Sequence, residues 1–261
     1  MENEARDRAI EAAGWYALAF WITTVLHEGA HFVAGLVVGR GPILHTTFVD
    51  YARDGSVGDQ IATALAGPLF SGISGALLLL ALRARRVPDA TRPLVTWLGY
   101  HGLVNLVGYV FSVSFATGGD LGRVAALLEL PTGLRIAITI AGFGLLRLVA
   151  RPFGEVFAAD ARPLDDEAAA RAHARRCVMV PAWIATPLLI VAALPVPHWL
   201  ALVYTLSAPL PLFDLPDALA KARGAERSRI APTIPAWSAL VAFVLVVIAT
   251  RLVLDRGVGL G

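Results

Sequence analysis

Hydrophobic residues run in long unbroken stretches along this chain instead of alternating with polar ones. Over residues 12–39 the only charged side chain is Glu28. At 1.5 Å rise per residue, a helix of that length crosses a hydrocarbon core of about 30 Å. Residues 61–82 carry no charge and predict a second span, and 93–115 predict a third. Residues 132–150 form a fourth if Arg135 and Arg147 reach toward opposite interfaces. The uncharged run 178–213 is too long for one span, and Pro195 and Pro197 mark a reversal that divides it into two. A last span is expected over 234–250.

Two segments break this pattern. Within 41–58, Ile43, His45, Thr47 and Val49 alternate with Leu44, Thr46, Phe48 and Asp50, and Asp54-Gly55 follows as a turn signal, which reads as a β-hairpin. Residues 151–177 are polar and predict a loop with a short solvated helix. The expected fold is an all-α polytopic membrane protein of about six to seven transmembrane helices, with a short β-hairpin after the first span. It divides into a polar N-terminal segment 1–13, a membrane core 14–131, and further transmembrane helices over 132–261. The first residues are mixed in charge and lack a basic n-region, so no cleaved signal peptide is expected.

Composition agrees. Hydrophobic residues make up 57% and charged ones 16%, against about 25% charged in soluble domains, which excludes a soluble enzyme. A net charge of +2 gives no case for nucleic acid; the basic residues cluster between apolar runs, where they orient the chain in a lipid bilayer. With seven spans, 16 of the 22 basic residues fall on the side that holds the N-terminus, which makes that side cytoplasmic. The expected location is a prokaryotic cell membrane. The single Cys177 excludes an intrachain disulfide and a cysteine metal cluster, so any metal must be held by His and carboxylates.

Such residues stand inside the first span, as His27-Glu28-Gly29-Ala30-His31. The i, i+4 spacing puts both imidazoles on one helix face, about 6 Å apart at Cβ, so two nitrogens can share one zinc ion. Glu28 is rotated off their midline, where it serves as general base instead of ligand. A carboxylate at mid-membrane costs on the order of 3 kcal/mol, and a bound dication offsets it. A third protein ligand must come from elsewhere, because the position six residues after His31 is Val37. His45, His101, Asp120, Asp214 and Asp217 are the candidates. Asp120 follows Gly118 and Gly119 in an otherwise apolar stretch, where a broken helix turns it back toward the first span; its alternative role is to cap a helix from Leu121.

These motifs, in this order, resemble the site-2 protease family of intramembrane zinc metalloproteases. TVLHEGAHFVAGLVVG resembles the family's metal-binding span, ALAGPLFSGISG its Ala-Gly-Pro-Leu segment, and GGDLGRV its Asp-Gly-Gly-Arg segment, with Leu121 in place of the first Gly after the Asp. The resemblance covers residues 14 to 130. It implies that His27, His31 and Asp120 bind one Zn2+, that Glu28 is the catalytic base, and that the 41–58 hairpin is the family's re-entrant β element. The family pattern sets that hairpin on the cytosolic side, opposite to the charge count. Asn105 is the candidate for contact with substrate backbone or oxyanion. The expected function is hydrolysis of peptide bonds in or near transmembrane segments of membrane proteins. The competing reading is a non-catalytic metal-binding membrane protein: a transporter, a receptor or a protease-like scaffold.

Overall fold

The computed structural model describes residues 2–160, 166–194, 200–222, 235 and 237–259. Helix α1 (Glu2–Val37) leads into strands β1 (Pro42–Leu44) and β2 (Val49–Tyr51), then α2 (Val57–Arg83), α3 (Arg92–Ser112), the short α4 (Asp120–Leu127) and α5 (Thr132–Asp160). Next come α6 (Glu167–Ala174), a π-helical turn (Arg175–Met179) and α7 (Val180–Ala193), which together form one continuous rod. The remainder is α8 (Leu200–Ser207), a 3-10 turn (Leu210–Asp214), α9 (Leu215–Lys221), α10 (Ser238–Leu254) and strand β3 (Val258–Gly259).

Among the described residues, five segments are long and apolar enough to cross a membrane: Arg6–Val37, Val57–Arg83, Arg92–Ser112, Thr132–Ala158 and Glu167–Ala193. Their outward faces carry large apolar side chains, among them Ile73, Leu77 and Leu80 on α2, Ile140 on α5 and Val191 on α7, each more than half exposed. In water this would be an extensive apolar patch; in a bilayer it meets acyl chains. The protein is therefore compatible with a multi-pass integral membrane location. Inside, Tyr16, Trp21, Tyr100 and Phe153 are fully buried and centre the core.

The structure corrects the element boundaries at three places. No single sixth helix follows α7 among the described residues: the chain continues as α8, the 3-10 turn and α9, because Pro209, Pro211 and Pro216 each remove a backbone donor. Hydrogen bonds hold these pieces, from the Tyr100 hydroxyl to the Ala208 carbonyl at 2.8 Å and from Tyr204 to the His101 carbonyl at 3.3 Å. The reversal expected at Pro195 and Pro197 lies outside the described residues. The polar segment 151–177 is mostly helix, since α5 runs on to Asp160 and helix resumes at Glu167 behind an Asp166 N-cap.

The hairpin is present but shorter than 41–58, with register Ile43↔Asp50 and its connection at 45–48. Asp54-Gly55 is not its turn. Gly55, at φ +70°, instead delivers the chain to a Ser56/Asp59 capping box that starts α2. Unforeseen is β3, which pairs with the other edge of β1 (Leu44↔Val258) and gives the order β2-β1-β3. Helices α2 and α3 pack almost backbone to backbone: a Cβ on Gly102 would stand 2.5 Å from the Ser71 carbonyl oxygen. That close approach carries the α2 face bearing Ser71 up against α1.

Candidate metal centre

His27 and His31 are buried on α1, one helical turn apart. Asp120 arrives from the first turn of α4. Its Oδ2 lies 3.1 Å from the Nε2 of each histidine, and the two Nε2 atoms are 3.0 Å apart. Among the described residues this is the one group of three such ligands that could hold a metal ion. Asp120 is not a helix cap: the N-cap is Gly119, and the carboxylate turns to the imidazoles.

The donor chemistry fits a cation. His31 Nδ1 lies 2.6 Å from the Thr63 carbonyl oxygen, which can only accept, so Nδ1 carries the proton and the Nε2 of the neutral ring presents a lone pair. His27 Nδ1 meets the Ser71 hydroxyl at 3.2 Å. The Ser71 hydroxyl can accept from His27 Nδ1 in the same way, and in that tautomer the two Nε2 atoms and the Asp120 carboxylate oxygen offer a divalent cation three donor atoms at one point. Atoms spaced in this way surround a point about 2.0 Å from all three and roughly 1 Å off their plane, the distance that zinc-like ions hold to nitrogen and oxygen.

Helix α2 supplies the lid over this pair. A Cβ on Gly67 would stand 2.3 Å from His31 Nε2 and 2.6 Å from His27 Nε2, so only glycine allows α2 to lie here. Thr63, Gly67 and Ser71 recur every four residues on one helix face, each meeting the imidazoles in turn. On the other side the Tyr109 ring stacks parallel to His27, with centroids 5.3 Å apart. These orienting residues were not foreseen; the four-residue stripe of small and polar residues in an apolar helix is the signal that marks them.

A cavity of about 490 Å³ adjoins the cluster, lined by Glu28, Tyr51, Asn105, Tyr109 and Tyr204 as well as the three ligands. Glu28 is 9% exposed and shares the cavity with the cluster. Asn105 is buried there beside Tyr204, whose hydroxyl donates to the His101 carbonyl. Asn105 Oδ1 has no hydrogen-bond partner and can accept an N–H. Arg40, buried after α1, stacks its guanidinium 3.8 Å over the Tyr51 ring. Burial raises the pKa of the Tyr51 phenol, the Arg40 cation opposing, so the hydroxyl keeps its proton.

The other candidate ligands stand apart. His45 stacks on Phe48 and pairs with Asp50 in the hairpin. Asp214 forms a two-nitrogen ion pair with Arg147, and Asp217 pairs with Arg171. His101 sits among Tyr16, Phe20 and Tyr100. Comparison with protein-family models, curated proteins and solved structures gives no match.

Proposed function

We propose that the protein is an intramembrane zinc metalloendopeptidase of the site-2 protease type, which cuts other membrane proteins in or near their transmembrane segments in a prokaryotic cell membrane. The observation that carries this reading is the convergence of His27 Nε2, His31 Nε2 and Asp120 Oδ2 beside a cavity that also holds Glu28. A structural zinc site is normally closed by four protein ligands; three ligands facing a cavity leave a position for reactants. That contrast favours an enzyme over a scaffold or receptor.

His27, His31 and Asp120 would hold the ion, which when bound supplies an acidified water and polarises the scissile carbonyl. Glu28 takes a proton at its carboxylate and returns it to the departing amine nitrogen. The Thr63 carbonyl and the Ser71 hydroxyl keep both imidazoles turned toward the site. Asn105 Oδ1 receives a substrate N–H. Because β3 covers one edge of β1, the edge open to an extended segment is that of β2, whose Val49 and Tyr51 line the cavity. A substrate helix must unwind to use it, since its amides are otherwise bonded internally.

The test is Glu28→Gln, with single-span reporter proteins reconstituted in the same vesicles. Cleavage falls by about 10²- to 10⁴-fold while one zinc per chain is retained. Full activity in this variant would rule out the mechanism.

A further inference from the structure

A second cavity, of about 190 Å³, lies at the opposite end of α1. Glu11 lines it, 16 residues before His27 and so about 24 Å from it along the helix, and the linings of the two cavities on α1 are separate, the one ending at Trp15 and the other beginning at Phe20. It sits where α1 and α3 begin and α5 ends, the side of the bilayer that also carries Arg83, Arg85 and Arg86. Trp15 of α1, Trp97 of α3 and Phe157 of α5 wall it. Arg8 and Glu11, three residues apart on one face of α1, bring one positive and one negative group to it. His173 and Cys177 face them from the rod that contains α6 and the π turn.

Two features point to a ligand. Thr96 is 2% exposed and lines the cavity, and its hydroxyl has no hydrogen-bond partner. A buried hydroxyl without a partner is costly unless something from outside the chain completes it. The rod is also distorted at this point: Cys177 lies within the π turn, an irregularity that gathers at binding sites.

We propose that this cavity binds the zwitterionic headgroup of a phospholipid, a phosphodiester joined to an ammonium group. Arg8, His173 and the Thr96 hydroxyl receive the phosphate oxygens, which are acceptors only. Glu11 and the Trp15 ring receive the ammonium. A purely anionic headgroup meets repulsion from Glu11. The volume admits a headgroup and leaves the acyl chains outside, in the bilayer. Nothing in this proposal depends on the metal centre.

Cys177 is the chain's single cysteine and lines the cavity, so its alkylation reports occupancy. The full-length protein, purified in detergent, is titrated with phosphatidylethanolamine, phosphatidylcholine or phosphatidylglycerol while its reaction with N-ethylmaleimide is followed. One or both zwitterionic lipids slow the reaction, saturating at one lipid per chain, and the two arms distinguish ethanolamine from choline. Thr96→Val, close in shape, shifts the midpoint about three- to tenfold upward, the loss of one hydrogen bond. Glu11→Gln shifts it by about ten- to hundredfold and removes the preference over phosphatidylglycerol. The gel-filtration profile and thermal unfolding midpoint of both variants match the wild type, which shows that they are folded. Equal protection by phosphatidylglycerol, or midpoints unmoved in both variants, would overturn the proposal.

Discussion

Among the described residues, two regions bury imidazole between the helices, and they do so for different reasons. Around His27 and His31, each ring has one nitrogen engaged by α2, at Ser71 and Thr63, and the other aimed at Asp120. Around His101 the ring is fully buried between Tyr16, Phe20, Trp97 and Tyr100, and neither nitrogen makes a hydrogen bond of ordinary geometry. The difference teaches that burial of a histidine does not mark a metal site. Convergence of donor atoms, with the remote nitrogens held from behind, is what makes the His27-His31-Asp120 group able to hold an ion.

The comparison yields tests of decreasing effect. Removing a ligand is the most severe: His31→Ala or Asp120→Ala should reduce zinc from one ion per chain to near none by elemental analysis, and cleavage should vanish with it. Asp214→Ala should leave zinc intact, since that carboxylate serves Arg147. Stoichiometric zinc in Asp120→Ala would return Asp120 to a structural role.

Next is Gly67→Ala, one added methyl that collides with both Nε2 atoms. Either α2 withdraws or the imidazoles turn away, so zinc occupancy should drop steeply, and the overpacking should cost about 1 to 3 kcal/mol of stability in a denaturant titration. Retained affinity together with unchanged stability would mean that α2 does not lie against the pair. Ser71→Ala, which removes only the partner of His27 Nδ1, should weaken zinc about 10- to 100-fold in a chelator competition.

The smallest effect is expected from His101→Phe, which completes an aromatic cluster and removes a buried polar ring. Zinc content and cleavage should match the wild type, and thermal stability should hold or rise. If this variant loses zinc, the two regions are coupled and the contrast between them fails.

The imidazole pair was legible because both residues lie on one helix. In His27-Glu28-Gly29-Ala30-His31 the spacing alone sets the geometry, since an α-helix brings i and i+4 to the same face whatever surrounds it. The apolar runs were legible for a related reason: a bilayer of fixed thickness imposes a fixed length. Asp120 was preferred among five candidates from the Gly118-Gly119 break before it and from the family resemblance, but its meeting with the imidazoles could not be derived, because nothing local says where a side chain 89 residues after His31 will point. The broken passage after α7 was written in Pro209, Pro211 and Pro216, but the division of the uncharged run at Pro195 and Pro197 made its second half read as one further span.

What the sequence by itself determined is whatever depends on period and length: the spans, the hairpin, and the paired imidazoles with Glu28 beside them. What only the tertiary structure decided is whatever depends on two segments meeting. That includes the meeting of Asp120 with His27 and His31, and the seating of Gly67 against both imidazoles. It also includes the pairing of β1 with β3 from residues 258–259. Local geometry follows from backbone stereochemistry and repeats along the chain. A meeting of distant segments is a packing solution of the whole fold, and no short window of residues carries it.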